Sequence, residues 1–166
     1  MGRMTRLPAL GPRGEGWVVI QGVMLVLVAA AGWSLGPVWS GIVRTATTIL
    51  GITCLVGGVL LAARGAADLG GAMTPVPRPR DEGDFVETGV YALVRHPIYA
   101  GLILAAFGWA FARASVIAIV LAVALAAFFG LKSAREEAWL HERYPGYAAY
   151  RARTGRFLPR IGRSHR

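Results

Sequence analysis

The sequence predicts an all-α integral membrane protein of four transmembrane helices with a C-terminal cytoplasmic or interfacial helical segment. Three observations predict it. Hydrophobic residues make up 55% of the 166 residues and the mean hydropathy is +0.50, far more apolar than an ordinary soluble domain of this length. Uncharged runs long enough to cross a bilayer recur along the chain. The arginines between those runs are dense at one set of ends and sparse at the other, the asymmetry that orients membrane helices.

Residues 1–16 form a basic cytoplasmic leader in which Arg3, Arg6 and Arg13 stand among glycine and proline breaks. The leader and the run Val18–Leu35 resemble a signal peptide, with Ala29-Ala30-Ala31 in the place of a cleavage site. At 18 residues the run is long for a signal core, it is long enough to span, and further apolar runs come after it, so a retained first helix is expected. Arg6 excludes N-myristoylation, which needs Ser or Thr there.

The second span is expected at Thr45–Ala63, uncharged between Arg44 and Arg64, where Gly51, Gly57 and Gly58 suit close packing against another helix. These two helices occupy 17–63, and a cytoplasmic loop is expected over 64–96. In it Pro75, Pro77 and Pro79 forbid a helix and precede the acidic patch Asp81-Glu82-Gly83-Asp84. A connection of that length in a small protein is disordered or part of a site, and its position just before the imidazole-bearing segment around His96 favours a site.

Ile98–Leu131 is apolar except for Arg113, and its 34 residues as one helix would reach roughly 51 Å against a hydrocarbon core of roughly 30 Å. A break is therefore expected at Arg113-Ala114-Ser115, giving a hairpin of Ile98–Ala112 and Ala114–Leu131 within a last unit, 97–166, that also holds the C-terminal helices. The third helix is short, which puts its start at or slightly inside the membrane interface. Lys132–Arg153 continues the last span as a soluble helix until Pro145-Gly146, after which Tyr147, Tyr150 and Arg151 have the spacing of a short amphipathic helix, and Phe157–Arg166 reads as an interfacial tail. Both termini are expected in the cytoplasm of a cell-membrane protein.

Nine of the 18 Lys and Arg residues lie from Lys132 onward. Beside apolar spans such a tail faces anionic lipid rather than nucleic acid. The single Cys54, inside an apolar run, forms no internal disulfide. No metal site is expected, because His96 and His141 are far apart and His141-Glu142 lacks the second histidine of a zinc helix.

The candidate site is Thr88–Gly101, TGVYALVRHPIYAG. Pro97 suits the first position of a helix and leaves His96 at its N-cap, so free backbone N–H groups there favour an anionic group. Arg95, His96 and Tyr99 would surround that spot. Glu136 and Glu137 differ by about 100° in direction, so one can face a cavity while its neighbour holds an arginine or a backbone amide. A ligand with both signs of charge fits, its carboxylate to the helix start and Arg95 or His96, its ammonium to Glu136 or Glu137, a further cation against Tyr99 or Tyr147. S-adenosylmethionine has all three.

Gly89-Val90-Tyr91, then Leu93-Val94-Arg95-His96-Pro97-x-Tyr99-x-Gly101, Arg135-Glu136-Glu137 and Tyr147–Tyr150 resemble the C-terminal half of the isoprenylcysteine carboxyl methyltransferase and phospholipid N-methyltransferase superfamily. The resemblance implies an integral membrane methyltransferase that binds S-adenosylmethionine at the cytoplasmic side. It implies that Tyr91, Val94, His96, Pro97, Tyr99 and Gly101 line the cofactor with Glu136 and Glu137 nearby. The acceptor would be an isoprenylcysteine-like carboxylate, a phospholipid amine or a small thiol. An amine must lose a proton, for which Glu137 or His96 is the candidate base, and Arg95 or Arg151 would hold an anionic head group. The expected partners are a lipophilic or lipid substrate and membrane lipids, with no nucleic acid and no obligatory protein partner. Two other readings stand beside it: an NADPH-dependent membrane reductase of the steroid-reductase type, and a non-catalytic scaffold or transporter subunit. In the plainest reading His96 only caps a helix, Glu136 and Glu137 are solvated charges, and the late tyrosines and Trp139 anchor the interface.

Overall fold

The computed structural model describes residues 8, 10–34, 37–70 and 85–160. Its elements are α1 (Glu15–Ser34), α2 (Gly41–Leu69), a 3-10 turn (Gly89–Ala92), α3 (Pro97–Arg113), α4 (Val116–Arg143) and α5 (Tyr147–Arg153). The α1, α2 and α4 helices are long and apolar enough to cross a membrane, and α3 is a shorter apolar helix of 17 residues. The leader arginines Arg3 and Arg6, the three prolines, the acidic patch and residues 161–166 lie outside the described residues.

The break in the long apolar run falls where the length argument puts it. Ala114 takes a left-handed backbone, φ 53°, and ends α3. Ser115 then caps α4, its hydroxyl accepting from the Ala118 amide at 3.2 Å and donating to the Ala31 carbonyl at 3.1 Å. Elsewhere the boundaries move outward. The second helix begins before Arg44 and continues past Ala63 to Leu69, so the expected loop starts late. Its extension is held by an ion pair one turn apart, Arg64 to Asp68 at 2.8 Å, and Asp68 also accepts the Val90 amide at 2.8 Å.

Two antiparallel pairs build the bundle. Between α2 and α3 the backbones meet along a seam of small residues. A methyl group on Gly51 would overlap the backbones of Gly108 and Ala112, and one on Gly58 would overlap Gly101 and Ala105. Further along, Gly65 lies against Pro97 and Ile98. The glycines of α2 at intervals of seven thus meet α3 in reverse order. Between α1 and α4, Trp17 packs on Phe128 with ring centroids 5.5 Å apart, while Ala31 meets Ser115 at the opposite end. The α1 and α3 helices run parallel, Trp109 donating to the Ala29 carbonyl at 3.2 Å and Arg113 to that of Gly32 at 2.7 Å.

That alternation gathers the start of α1, the end of α2, the start of α3 and the end of α4 at one end of the bundle. Arg113 marks the other end, its guanidinium over the rings of Trp33 and Trp109.

Replacing Gly58 by Leu forces α2 and α3 apart and costs about 1–3 kcal/mol or more. Gly57→Leu, whose Cβ meets nothing within 4 Å, leaves stability unchanged. Thermal unfolding of the two variants in the same detergent measures the difference.

Candidate functional site

The segment before α3 is extended and pairs with the segment after α5. Val94 and Gly155 form a parallel bridge, the Arg95 amide donates to the Gly155 carbonyl at 2.8 Å and the His96 amide to that of Arg156 at 3.1 Å. The chain beyond α5 is thereby strapped across the start of α3. His96 is the N-cap residue, but its side chain caps nothing. It turns inward instead and is buried. The plain capping role does not account for it.

There it meets both glutamates, which divide the work as their 100° separation allows. The Glu137 side chain, 3% exposed, accepts from Arg95 Nε at 3.0 Å, has His96 Nε2 at 3.2 Å and Arg156 Nε at 3.3 Å, and lies 3.6 Å from Arg151 Nε. Arg95 also donates to the carbonyls of Arg151 and Thr154. Glu136, 25% exposed at its side chain, accepts from the Tyr99 hydroxyl at 2.8 Å and lies 3.7 Å from His96 Nδ1. The imidazole thus stands between two carboxylates.

Tyr99 is clamped. His96 stacks on it at 5.4 Å between centroids, Phe129 at 4.8 Å, and Lys132 Nζ lies 4.9 Å from the ring centre. Its faces are taken by the protein, and its hydroxyl is the part that reaches Glu136. The bare α-carbon of Gly101 is against Gly58 and Ala62 of α2, so its smallness serves the helix seam. Pro97 is fully buried beside Gly65, and Val94 is buried beneath the strap.

The late tyrosines form an aromatic group on Phe85 rather than separate interfacial anchors. Tyr144 stacks on it at 5.2 Å, and Tyr147 and Tyr150 present edges at 5.8 and 5.1 Å. The Tyr150 hydroxyl donates to the Tyr91 carbonyl at 2.7 Å. Burial pushes the Tyr150 phenol up to about 12, so it remains a donor throughout the physiological range. Tyr91 is raised as well, by burial first and then by the Glu136 carboxylate. Tyr147 is 1% exposed, and its hydroxyl has no hydrogen-bond partner among the described residues. Burial raises this phenol too, and Glu137 adds to the effect.

Of the sequence-predicted residues, the fold brings Arg95, His96, Tyr99, Glu136, Glu137 and Arg151 to one place, with Tyr91 and Tyr147 beside it. Sequence reasoning missed Arg156, assigned with the basic tail to lipid, and Phe157, whose ring edge is on His96 at 6.1 Å. It missed Lys132 as well, whose position just after an uncharged run was the available signal. No group of three or more His, Cys, Asp or Glu side chains that could hold a metal occurs among the described residues.

Comparison with known proteins matches residues 46–146 to the model of a family described as phospholipid methyltransferase. The chain is also similar to the cobalt-zinc-cadmium resistance protein CzcN of Cupriavidus metallidurans, 32% identical over 83 residues. That match takes in 49% of this chain and 38% of the relative, so the chain spans well under half of that protein.

Glu137→Ala leaves the buried Arg95 and its neighbours without a counter-charge and costs about 3–5 kcal/mol. Glu136→Ala, at a part-exposed position, costs about 1 kcal/mol or less. Thermal unfolding in detergent ranks the two, with Glu137→Ala far the lower.

Proposed function

The chain belongs to the phospholipid methyltransferase family, a kind of integral membrane methyltransferase, and on that premise we propose that it transfers a methyl group from S-adenosylmethionine to a lipophilic acceptor. The observation that carries this reading is the convergence of His96 and Tyr99, from the start of α3, with Glu136 and Glu137, from the end of α4. The charge distribution supports four spans, with this end of the bundle and both termini in the cytoplasm, where the cofactor is available.

The residues fit the cofactor. The buried Tyr147 hydroxyl lacks a partner among the described residues, which a ligand's polar atom would supply. Glu136 is part-exposed and engages the protein through one carboxylate oxygen, leaving the other for an ammonium. The amides at the start of α3, next to His96, suit a carboxylate. When bound, S-adenosylmethionine supplies a methyl group already activated by its sulfonium, so the protein has mainly to position and to exclude water.

Positioning falls to Glu137. Both its oxygens are occupied by cations, which suits it to hold Arg95, His96 and the strap in register rather than to take up a proton. Arg95 is likewise committed to the protein and acts as a positioning residue. His96 and Glu136 are the groups that face the cofactor in this reading. The NADPH alternative is less well served. It needs unpaired positive charge for a phosphate, whereas Arg95, Arg151 and Arg156 gather on Glu137 and Arg153 pairs with Glu87 at 2.6 Å.

In detergent, S-adenosylhomocysteine is expected to raise the thermal midpoint, by about 2.7 kcal/mol of stabilisation at a hundred times its Kd. NADPH is expected to leave it unmoved, and Glu136→Ala to abolish the shift. Incubation with methyl-labelled cofactor and native lipid extract should place label in the lipid fraction. A shift with NADPH alone would overturn the assignment.

A further inference from the structure

One charged side chain beside the site forms no ion pair among the described residues. Lys132 lies at the end of the apolar stretch of α4, where a lysine ordinarily extends its ammonium to water. This one turns inward and is 2% exposed. Its Nζ donates to Oε1 of Gln21, on α1, at 2.5 Å and lies 4.9 Å from the centre of the Tyr99 ring. Both partners are neutral. No carboxylate comes within ion-pair distance of it among the described residues, although Glu136 is one turn further along the same helix. Burying an ammonium is costly, and an amide oxygen with a ring face offsets that less fully than an anion would.

The surroundings are apolar. Trp17, Phe128 and Phe129 form one buried cluster, with Met24 and Leu25 of α1 packed against it. A cation with an amide beside it, set in an apolar wall, is complementary to an oxyanion carried on a lipophilic body. The place is also right. Tyr99 carries Lys132 over its ring and Glu136 on its hydroxyl, so the ammonium sits about 6 Å along the helix from Glu136 on the apolar side.

We propose that Lys132, with Gln21 as a neutral placeholder, is the receptor for an oxyanion carried by the methyl acceptor. This deepens the methyltransferase reading and rests on it for the word acceptor; the anion site itself does not. The Gln21 amide oxygen holds the position that the oxyanion takes, and the exchange replaces a neutral partner by a charged one. A cationic acceptor lacking an anionic group is disfavoured by the same ammonium.

The test uses the full chain in detergent, with labelled farnesoic acid as the carboxylate probe, dioleoyl phosphatidic acid as the phosphate probe and methyl farnesoate as the uncharged control. Saturable binding of either anion, at least tenfold tighter than the ester, is expected, and the anion that binds identifies the source. Lys132→Met should weaken binding at least tenfold, and Lys132→Arg should retain most of it. Gln21→Glu, which supplies a permanent internal anion, should weaken it comparably. S-adenosylhomocysteine binding should change less than twofold in all three variants, which also shows that they fold. Equal binding of ester and anion, anion binding untouched by Lys132→Met and Gln21→Glu, or no binding of either anion overturns the proposal. Lys132-dependent anion binding in a chain that ignores S-adenosylhomocysteine would instead uphold the anion site and overturn the methyltransferase reading.

Discussion

The carboxylate of Glu137 gathers side chains from three separate parts of the chain. Arg95 and His96 precede α3, Arg151 is in α5, Arg156 is in the strap beyond it, and all four side chains point at the same two oxygens on α4. An ionised group in a buried position is tolerable only with counter-charges and hydrogen bonds around it, and here the surplus of cations keeps the carboxylate stable there. Because Arg95 also binds the carbonyls of Arg151 and Thr154, the same centre fixes the backbone of the strap. Remove that charge and the start of α3 loses its alignment with the end of α4.

Beneath this polar cap the bundle is held by close approach rather than by polarity. The α2–α3 seam needs hydrogen in place of a side chain at Gly51, Gly58, Gly101 and Gly108, since each α-carbon lies against the opposing backbone. In an apolar medium there is no solvent to be expelled between helices, so contact of this kind is the available driving force. The seam also fixes the rotation of α3 about its axis. With Gly101 turned to α2, Tyr99 is turned to α4, where it bonds Glu136 and is stacked between His96 and Phe129.

Much of the site was legible because its signals are local. Pro97 at a helix start and His96 before it arise from backbone constraints on proline, and the hairpin break at Ala114 arises from the length of a bilayer crossing. The roughly 100° between Glu136 and Glu137 permits them to take different roles, and the sequence does not say which residue takes which. The extension of α2 to Leu69 is not legible in the sequence, because Arg64 ends an apolar run while its charge is matched one turn later by Asp68. Arg156 was hidden for a similar reason. A basic tail beside a membrane has an obvious partner in lipid, and nothing in its spacing shows that it folds back onto Glu137.

By itself the sequence determined the all-helical, membrane-embedded character, the hairpin, and the pairing of an imidazole-bearing helix start with a double glutamate. Only the tertiary structure decided that Glu137 is the buried hub and Glu136 the open arm, that Gly101 belongs to the seam, and that Lys132 points inward. The physical reason is that these helices are apolar on nearly every side. A soluble helix advertises its inner face by an apolar stripe, whereas a helix in lipid does not, so its rotation, and with it the direction of every functional side chain, is set by the neighbours it packs against.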